Sequence, residues 1–154
     1  MTDIVGRLLS ATLLLLSAVS AAAEHVSPAT VRVIDGDTVA WQGAHYRLVG
    51  FDTPERGDRA RCPAERALAA QATARLRQLI AAGGADLKRV PCSCRPGAAE
   101  GTMACNYGRF CGVLTIAGRD AGAILIREGL ARPYDFKWGR SMPPATWCVR
   151  GEKR

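Results

Sequence analysis

Residues 30–49 read TVRVIDGDTVAWQGAHYRLV, and this stretch decides the fold class. Thr30 to Ile34 alternates and is rich in β-branched residues, the pattern of a strand with one face buried. Asp35-Gly36 follows, a dipeptide that favours a tight hairpin turn because both residues tolerate positive φ. Thr38 to Trp41 is then a second strand, Gln42-Gly43 a second turn and His45 to Val49 a third strand. The result is a β-meander.

Working outward, Phe51 to Arg61 (FDTPERGDRAR) is polar and reads as a loop. Pro63 to Ala82 is a helix: proline at its first turn costs no hydrogen bond, and Gly83-Gly84 ends it. Leu68, Ala72, Leu76, Leu79 and Ile80 fall on one face of it, with Arg66, Arg75 and Arg77 largely off that face. Ala85 to Val90 and Phe110 to Ile116 are further strands, and Ser93 to Gly108 between them is an irregular, cysteine-bearing loop. A second helix runs from an Asp120 N-cap to Glu128, with Gly129 as its stop. The tail after Lys137 is interrupted by proline and carries no convincing helix. Five strands and two helices predict an α+β protein, mainly β: a five-stranded antiparallel barrel with both helices packed on it.

A length of 154 residues suits one domain. Met1 to Ala23 reads as a secretory signal peptide: Arg7 precedes an apolar stretch from Leu8 to Val19, and Ala21-Ala22-Ala23 supplies the small residues of a cleavage site. The competing reading is an uncleaved membrane anchor, but Leu8 to Ala23, about 16 residues, falls short of the roughly 20 a span needs. Cleavage after Ala23 leaves a mature domain over 24–154, with a barrel core over about 30–137 and a tail over 138–154, free of the membrane and in the periplasm or outside the cell. The formal net charge of +7 suggests a polyanionic partner, nucleic acid or an anionic membrane surface.

All six cysteines (Cys62, Cys92, Cys94, Cys105, Cys111, Cys148) lie in the mature part, and their even number fits disulfides in an oxidising compartment. The pairing stays open. A zinc site from Cys92, Cys94, Cys105 and Cys111 is the rival, though the C-x-C start is unlike the usual C-x2-C knuckle. His25 and His45 are the only histidines and read as surface residues.

The informative chemistry lies in Ile34-Asp35-Gly36-Asp37-Thr38 and Asp52-Thr53-Pro54-Glu55. If the third strand returns beside the first hairpin, Asp35, Asp37, Asp52 and Glu55 share one region. Four such carboxylates repel one another unless positive charge sits among them, and a hard divalent cation with oxygen ligands is the natural solution. Calcium tolerates an irregular mix of carboxylate, carbonyl and water better than magnesium does. Taken singly, each motif reads equally well as a turn or loop start. Arg47 on the third strand and Arg109 at the head of the fifth change that balance, because guanidiniums bind phosphate bidentately and stay charged. Cation and arginines together outline a phosphoryl-transfer site.

V-I-D-G-D-T, Y-R-L-V-G-F-D-T-P-E, Y-G-R-F-C-G-V-L and R-E-G-L-A-R, in that order, resemble the staphylococcal nuclease (thermonuclease) family over most of residues 30–137. The resemblance implies an OB-fold barrel and calcium-dependent hydrolysis of DNA and RNA phosphodiesters, leaving a 5′-hydroxyl and a 3′-phosphate. It implies metal ligation by Asp37, Asp52 and the Thr53 carbonyl, with Asp35 linked through water. Glu55 takes the general-base position, Arg47 and Arg109 the phosphate-binding ones. Tyr107, Tyr134 and Phe136 match nucleotide-contacting aromatics, and their bland alternative is core packing. Three departures stand out: the loop after Glu55 is shorter than in the family archetype, the C-terminal helix is reduced, and the archetype has no cysteines. A plausible compensation for the lost helix is a disulfide anchored by Cys148. The expectation is therefore an exported, monomeric, calcium-dependent endonuclease acting on DNA and RNA. A non-catalytic OB-fold nucleic-acid-binding module is the alternative, and a basic membrane-surface protein a third reading with only net charge behind it.

Overall fold

The computed structural model describes residues 22–140 and 143–148. The leader expected over 1–23 lies outside them apart from Ala22 and Ala23, as do tail positions 141–142 and 149–154. The meander forms as expected: β2 (Val31–Asp35), β3 (Thr38–Trp41) and β4 (Ala44–Leu48) pair antiparallel in sequence. A short β1 (Glu24–Val26) precedes them and β5 (Gly50–Asp52) follows. The chain continues through α1 (Pro63–Ala81), β6 (Ala85–Val90), β7 (Phe110–Ile116), β8 (Arg119–Asp120), α2 (Ala121–Arg127) and β9 (Arg132–Tyr134). The architecture is α+β, mainly β, with two helices.

Three expectations need correction. The first concerns strand number. Nine strands form among the described residues, and the main sheet runs in the order β1-β6-β7-β4-β3-β2, with β8 on β7. β5 and β9 make a separate two-stranded ladder. Three-residue strands carry too little periodicity to be read from sequence. The second concerns the barrel: the sheet curls, but among the described residues no ladder joins β2 to β6 or β1, so it stays open. The third is direction. β4 and β7 run parallel, Arg47 opposite Cys111, because the chain passes through α1 and β6 between them and returns on the same heading.

Helix α1 starts where Pro63 fits its first turn and Cys62 Sγ accepts from the Glu65 N–H at 3.4 Å. It buries Ala69, Ala72, Thr73, Leu76, Leu79 and Ile80. Leu68, expected on that face, is only half-buried, and Ala69 and Thr73 take its place. Helix α2 begins at Asp120, whose Oδ1 accepts the Ala123 N–H at 2.7 Å, and ends at Gly129 with φ +74°. Both helices pack on a core that includes Val39, Leu48, Phe51, Leu114 and Leu125.

Two glycines owe their identity to close approach. A Cβ on Gly122 would lie 2.2 Å from the Phe51 ring, so the bare helix face is what lets β5 seat beside α2. The Asp35-Gly36 turn, expected at positive φ, is not left-handed; a Cβ on Gly36 would instead meet Thr53 at 2.8 Å and Ala72 at 3.0 Å. Asp35 Oδ1 accepts the Asp37 N–H at 3.3 Å, an Asx turn that closes the hairpin without positive φ. That tight contact brings the hairpin tip onto Thr53.

After β9 no helix forms among the described residues. The tail is pinned by the Cys62–Cys148 disulfide, by Arg61 donating to the Ala145 carbonyl at 3.1 Å, and by Arg132 donating to the Pro143 carbonyl at 2.9 Å. In the chain-entropy account a bridge spanning 86 residues is worth about 4.6 kcal/mol. Cys92–Cys111 and Cys94–Cys105 complete three disulfides, which resolves the open pairing and leaves no free cysteine among the described residues. These bridges are compatible with an extracellular or periplasmic protein. No described helix is long and apolar enough to cross a membrane.

Candidate functional site

The meander and β5 bring Asp37 and Asp52 to Arg47, while Asp35 closes the hairpin tip and Glu55 turns away to Arg59. Thr38 pairs with Arg47 across β3 and β4, so Asp37 at the hairpin tip sits beside that guanidinium. Arg47 Nη2 lies 3.1 Å from Asp37 Oδ2 and 3.4 Å from Asp52 Oδ1, and donates to the Phe51 carbonyl at 3.1 Å. Asp37 is buried; its Oδ2 also accepts from the Thr53 N–H at 3.0 Å and the Thr53 hydroxyl at 2.9 Å. Burial pushes its carboxyl up to about 6, against the pull of Arg47 and with the help of Asp35.

The positive charge that sequence demanded among the carboxylates is thus supplied in part by the protein. Arg47 stands between Asp37 and Asp52. Arg132, opposite Asp52 across β5 and β9, contributes a second guanidinium at 3.0 Å. Among the described residues, the groups of three metal-binding side chains with donor atoms mutually within 4.8 Å are Cys92, Cys94, Cys105 and Cys62, Glu65, Cys148. Every cysteine in both groups is in a disulfide, which removes the thiolates a zinc site would need.

Glu55 lines the same groove, turned toward Arg59 in an exposed pair at 3.0 Å. Its backbone is fixed from beneath by Glu65, which sequence reading did not single out. Glu65 is 1% exposed, accepts the Arg61 N–H at 2.7 Å, Arg61 Nε at 3.0 Å and Nη2 at 3.1 Å, and receives the Glu55 N–H at 3.4 Å. Burial works to raise its pKa, but the Arg61 hydrogen bonds win and hold it below the usual carboxylate range. A glutamate in the first turn of a helix reads as an ordinary capping residue, so only burial reveals its role. Arg132 was visible, within R-E-G-L-A-R, but only strand register discloses its partner.

Arg109 comes from the opposite wall, just before β7. It is part-buried and donates to Asn106, from Nε to the carbonyl at 3.0 Å and from Nη2 to Oδ1 at 2.9 Å. Burial, then repulsion from Arg47, pulls its pKa down from arginine's usual value. Tyr107 is 75% exposed, which excludes core packing. The Tyr134 and Phe136 rings stack at 6.3 Å with 15° between planes, and the exposure of Phe136 likewise argues against a core role. All these side chains line one groove of about 1250 Å³ with Asp35, Asp37, Arg47, Asp52 and Thr53.

The chain matches no known family model and no curated protein.

Proposed function

We propose that this protein is an exported, calcium-dependent nuclease of the thermonuclease type, with an OB-fold barrel, that hydrolyses DNA and RNA phosphodiesters with little sequence specificity. The observation that carries this reading is the opening of Asp37, Asp52, Arg47, Glu55 and Arg109 on one groove large enough for a nucleotide. Four sequence motifs in the family's order support it independently.

The donor set suits a hard cation. Asp37 and Asp52 offer carboxylates, Thr53 a backbone carbonyl, and Asp35 a further acid linked through water. Burial holds the Asp37 carboxyl up at about 6 although Arg47 pulls it down, and a bound cation would favour its charged form. When bound, calcium supplies Lewis-acid neutralisation of the charge that builds on phosphorus.

The chain's own residues do the rest. Arg47 and Arg109 converge from opposite walls and bind the phosphate oxygens, Arg109 through a guanidinium that no carboxylate pairs among the described residues. Glu55 takes the proton of the attacking water; its exposed pair with Arg59 contributes little and releases easily. The water oxygen bonds to phosphorus as the P–O5′ bond breaks; the 5′ oxygen takes a proton from solvent water and leaves as a hydroxyl, and the phosphate stays on the 3′ side. Tyr107, Tyr134 and Phe136 offer faces on which any base stacks, which suits a non-specific enzyme. The mature chain acts as a monomer, free of the membrane, in the periplasm or outside the cell.

The test is a metal series on a fluorescent single-stranded oligonucleotide: calcium, magnesium, manganese and chelator. Cleavage with calcium that stops with chelator supports the reading. Metal-independent binding without cleavage, with the three disulfides verified, replaces it with the non-catalytic OB-fold module.

A further inference from the structure

The loop between β6 and β7 holds Arg109 in an unusual way. Asn106, Tyr107 and Gly108 are consecutively left-handed, with φ of 53°, 57° and 80°. Asparagine tolerates this region, but Tyr107 sits where a side chain pays of order 1 kcal/mol or more, which its surroundings must offset. Disulfides do so from both sides: Cys92–Cys111 ties the loop entrance to β7, and Cys94–Cys105 ends next to Asn106. Glu100 braces the entrance further, accepting the Cys92 N–H at 2.6 Å and pairing with Arg89 at 3.1 Å. Asn106 joins clasp to arginine. Its Nδ2 lies 3.4 Å from Cys111 Sγ and 3.8 Å from Cys92 Sγ, while its carbonyl and Oδ1 both receive Arg109.

We propose that Asn106 and the Cys92–Cys111 disulfide are positioning elements for Arg109, so that the phosphate-binding arm is assembled only in the oxidised protein. The inference rests on the reading of Arg109 as a phosphate ligand. A dithiol reductant delivers two electrons and two protons to the bridge, giving two thiols and itself becoming a disulfide; the left-handed turn then relaxes and Arg109 loses its anchor. The chain is consequently inactive before oxidation and armed by it.

The experiment is a double-mutant cycle on the purified mature protein. Cys92→Ser/Cys111→Ser should lower kcat/KM about a hundredfold, the loss typical of a reacting group displaced by an ångström, with the far-ultraviolet circular dichroism retained. In an Arg109→Ala background the same pair of changes should cost almost nothing. Asn106→Gly keeps the left-handed backbone and should lower kcat/KM without lowering the thermal midpoint. An equal loss with and without Arg109, or full activity of either variant, overturns the proposal. If the protein proves not to be a nuclease, the Arg109 Nε–H resonance titrated with inorganic phosphate reads the same positioning. A response lost in the Cys92→Ser/Cys111→Ser variant supports it, and an unchanged response overturns it.

A different observation carries a second inference. A cavity of about 530 Å³ between β2 and the end of α1 is ringed by Arg32, Arg56 and Arg77 over Val31, Ile34 and Ile80. None of the three guanidiniums has a carboxylate partner among the described residues; Arg56 and Arg77 donate to the Ile34 and Val33 carbonyls. Ile34 and Arg56 also line the groove, so the two spaces adjoin. We infer that this basic pocket takes a further backbone phosphate of the same polynucleotide strand, extending the site of the proposed nuclease. Arg32→Ala/Arg77→Ala should raise KM several-fold for a twelve-nucleotide strand and leave a dinucleotide substrate unaffected. It should also flatten the salt dependence of twelve-mer binding, measured by anisotropy in chelator, by roughly one in log–log slope. Unchanged slope and KM overturn the inference, and the anisotropy arm reads it even if no cleavage occurs.

Discussion

The two walls of the groove are built by opposite means. On the β3–β4–β5 side, Asp37, Arg47, Asp52 and Thr53 are set by ladders and a buried hydrogen-bond cluster, with Gly36 allowing the hairpin tip to touch Thr53. On the β6–β7 side, Arg109 rides on a left-handed turn held by two disulfides and one asparagine. The first wall is secured by strand pairing, hydrogen bonds and packing. The second depends on covalent chemistry that only an oxidising compartment supplies. The proposed redox dependence thus enters through the second wall, and β4 meets the same bridge where Arg47 pairs with Cys111.

The largest effects come from removing one charged group of the proposed reaction at a time. Glu55→Gln should reduce turnover by roughly 10²- to 10⁴-fold, and Arg109→Ala by about 10²- to 10³-fold, with thermal midpoints near wild type. Single-turnover cleavage of a labelled oligonucleotide measures both. Next comes the support beneath Glu55. Glu65→Ala strips Arg61 and two N–H groups of their buried acceptor and should cost about 2–4 kcal/mol in urea unfolding, discounted because Arg61 is partly exposed. A loss below 0.5 kcal/mol would show that Glu65 is only an ordinary first-turn acid.

A smaller effect sharpens the first wall. Folded Asp37 titrates at about 6 against an ordinary 3.8, so the folded protein holds more protons between those values. Its contribution to stability is therefore greatest in acid and falls as pH rises from about 4 to 6, by up to ~3 kcal/mol. Unfolding in chelator at pH 4.5 and 7, wild type against Asp37→Asn, isolates this slope, and parallel curves would contradict it. The smallest effect concerns the exposed aromatics. Tyr107→Ala should weaken single-strand binding by about 1–3 kcal/mol while leaving stability within 0.5 kcal/mol.

What could be read from sequence follows from the range of the forces involved. The meander, α1, α2 and their caps are local, so alternation, Pro63, Asp120 and Gly129 disclose them. The acids and Arg47 are legible for the same reason, lying within a few residues of turns that bring them together. The parallel β4–β7 pairing, the open sheet and the Asp52–Arg132 contact are decided by long-range return of the chain, which no short window records. The disulfide pairing was equally hidden, since six cysteines permit 15 connectivities. Glu65 is not legible because its spacing looks like a cap and its burial depends on the loop that folds over it.

The central claim is that Asp37 and Asp52 form a cation site beside two phosphate-binding arginines. Calorimetric titration of the mature, oxidised protein with calcium tests it most directly. One ion should bind per chain at pH 7, more weakly as the pH is lowered through about 6 and not at all in Asp37→Asn. Absence of binding, or binding that Asp37→Asn leaves unchanged, would contradict it.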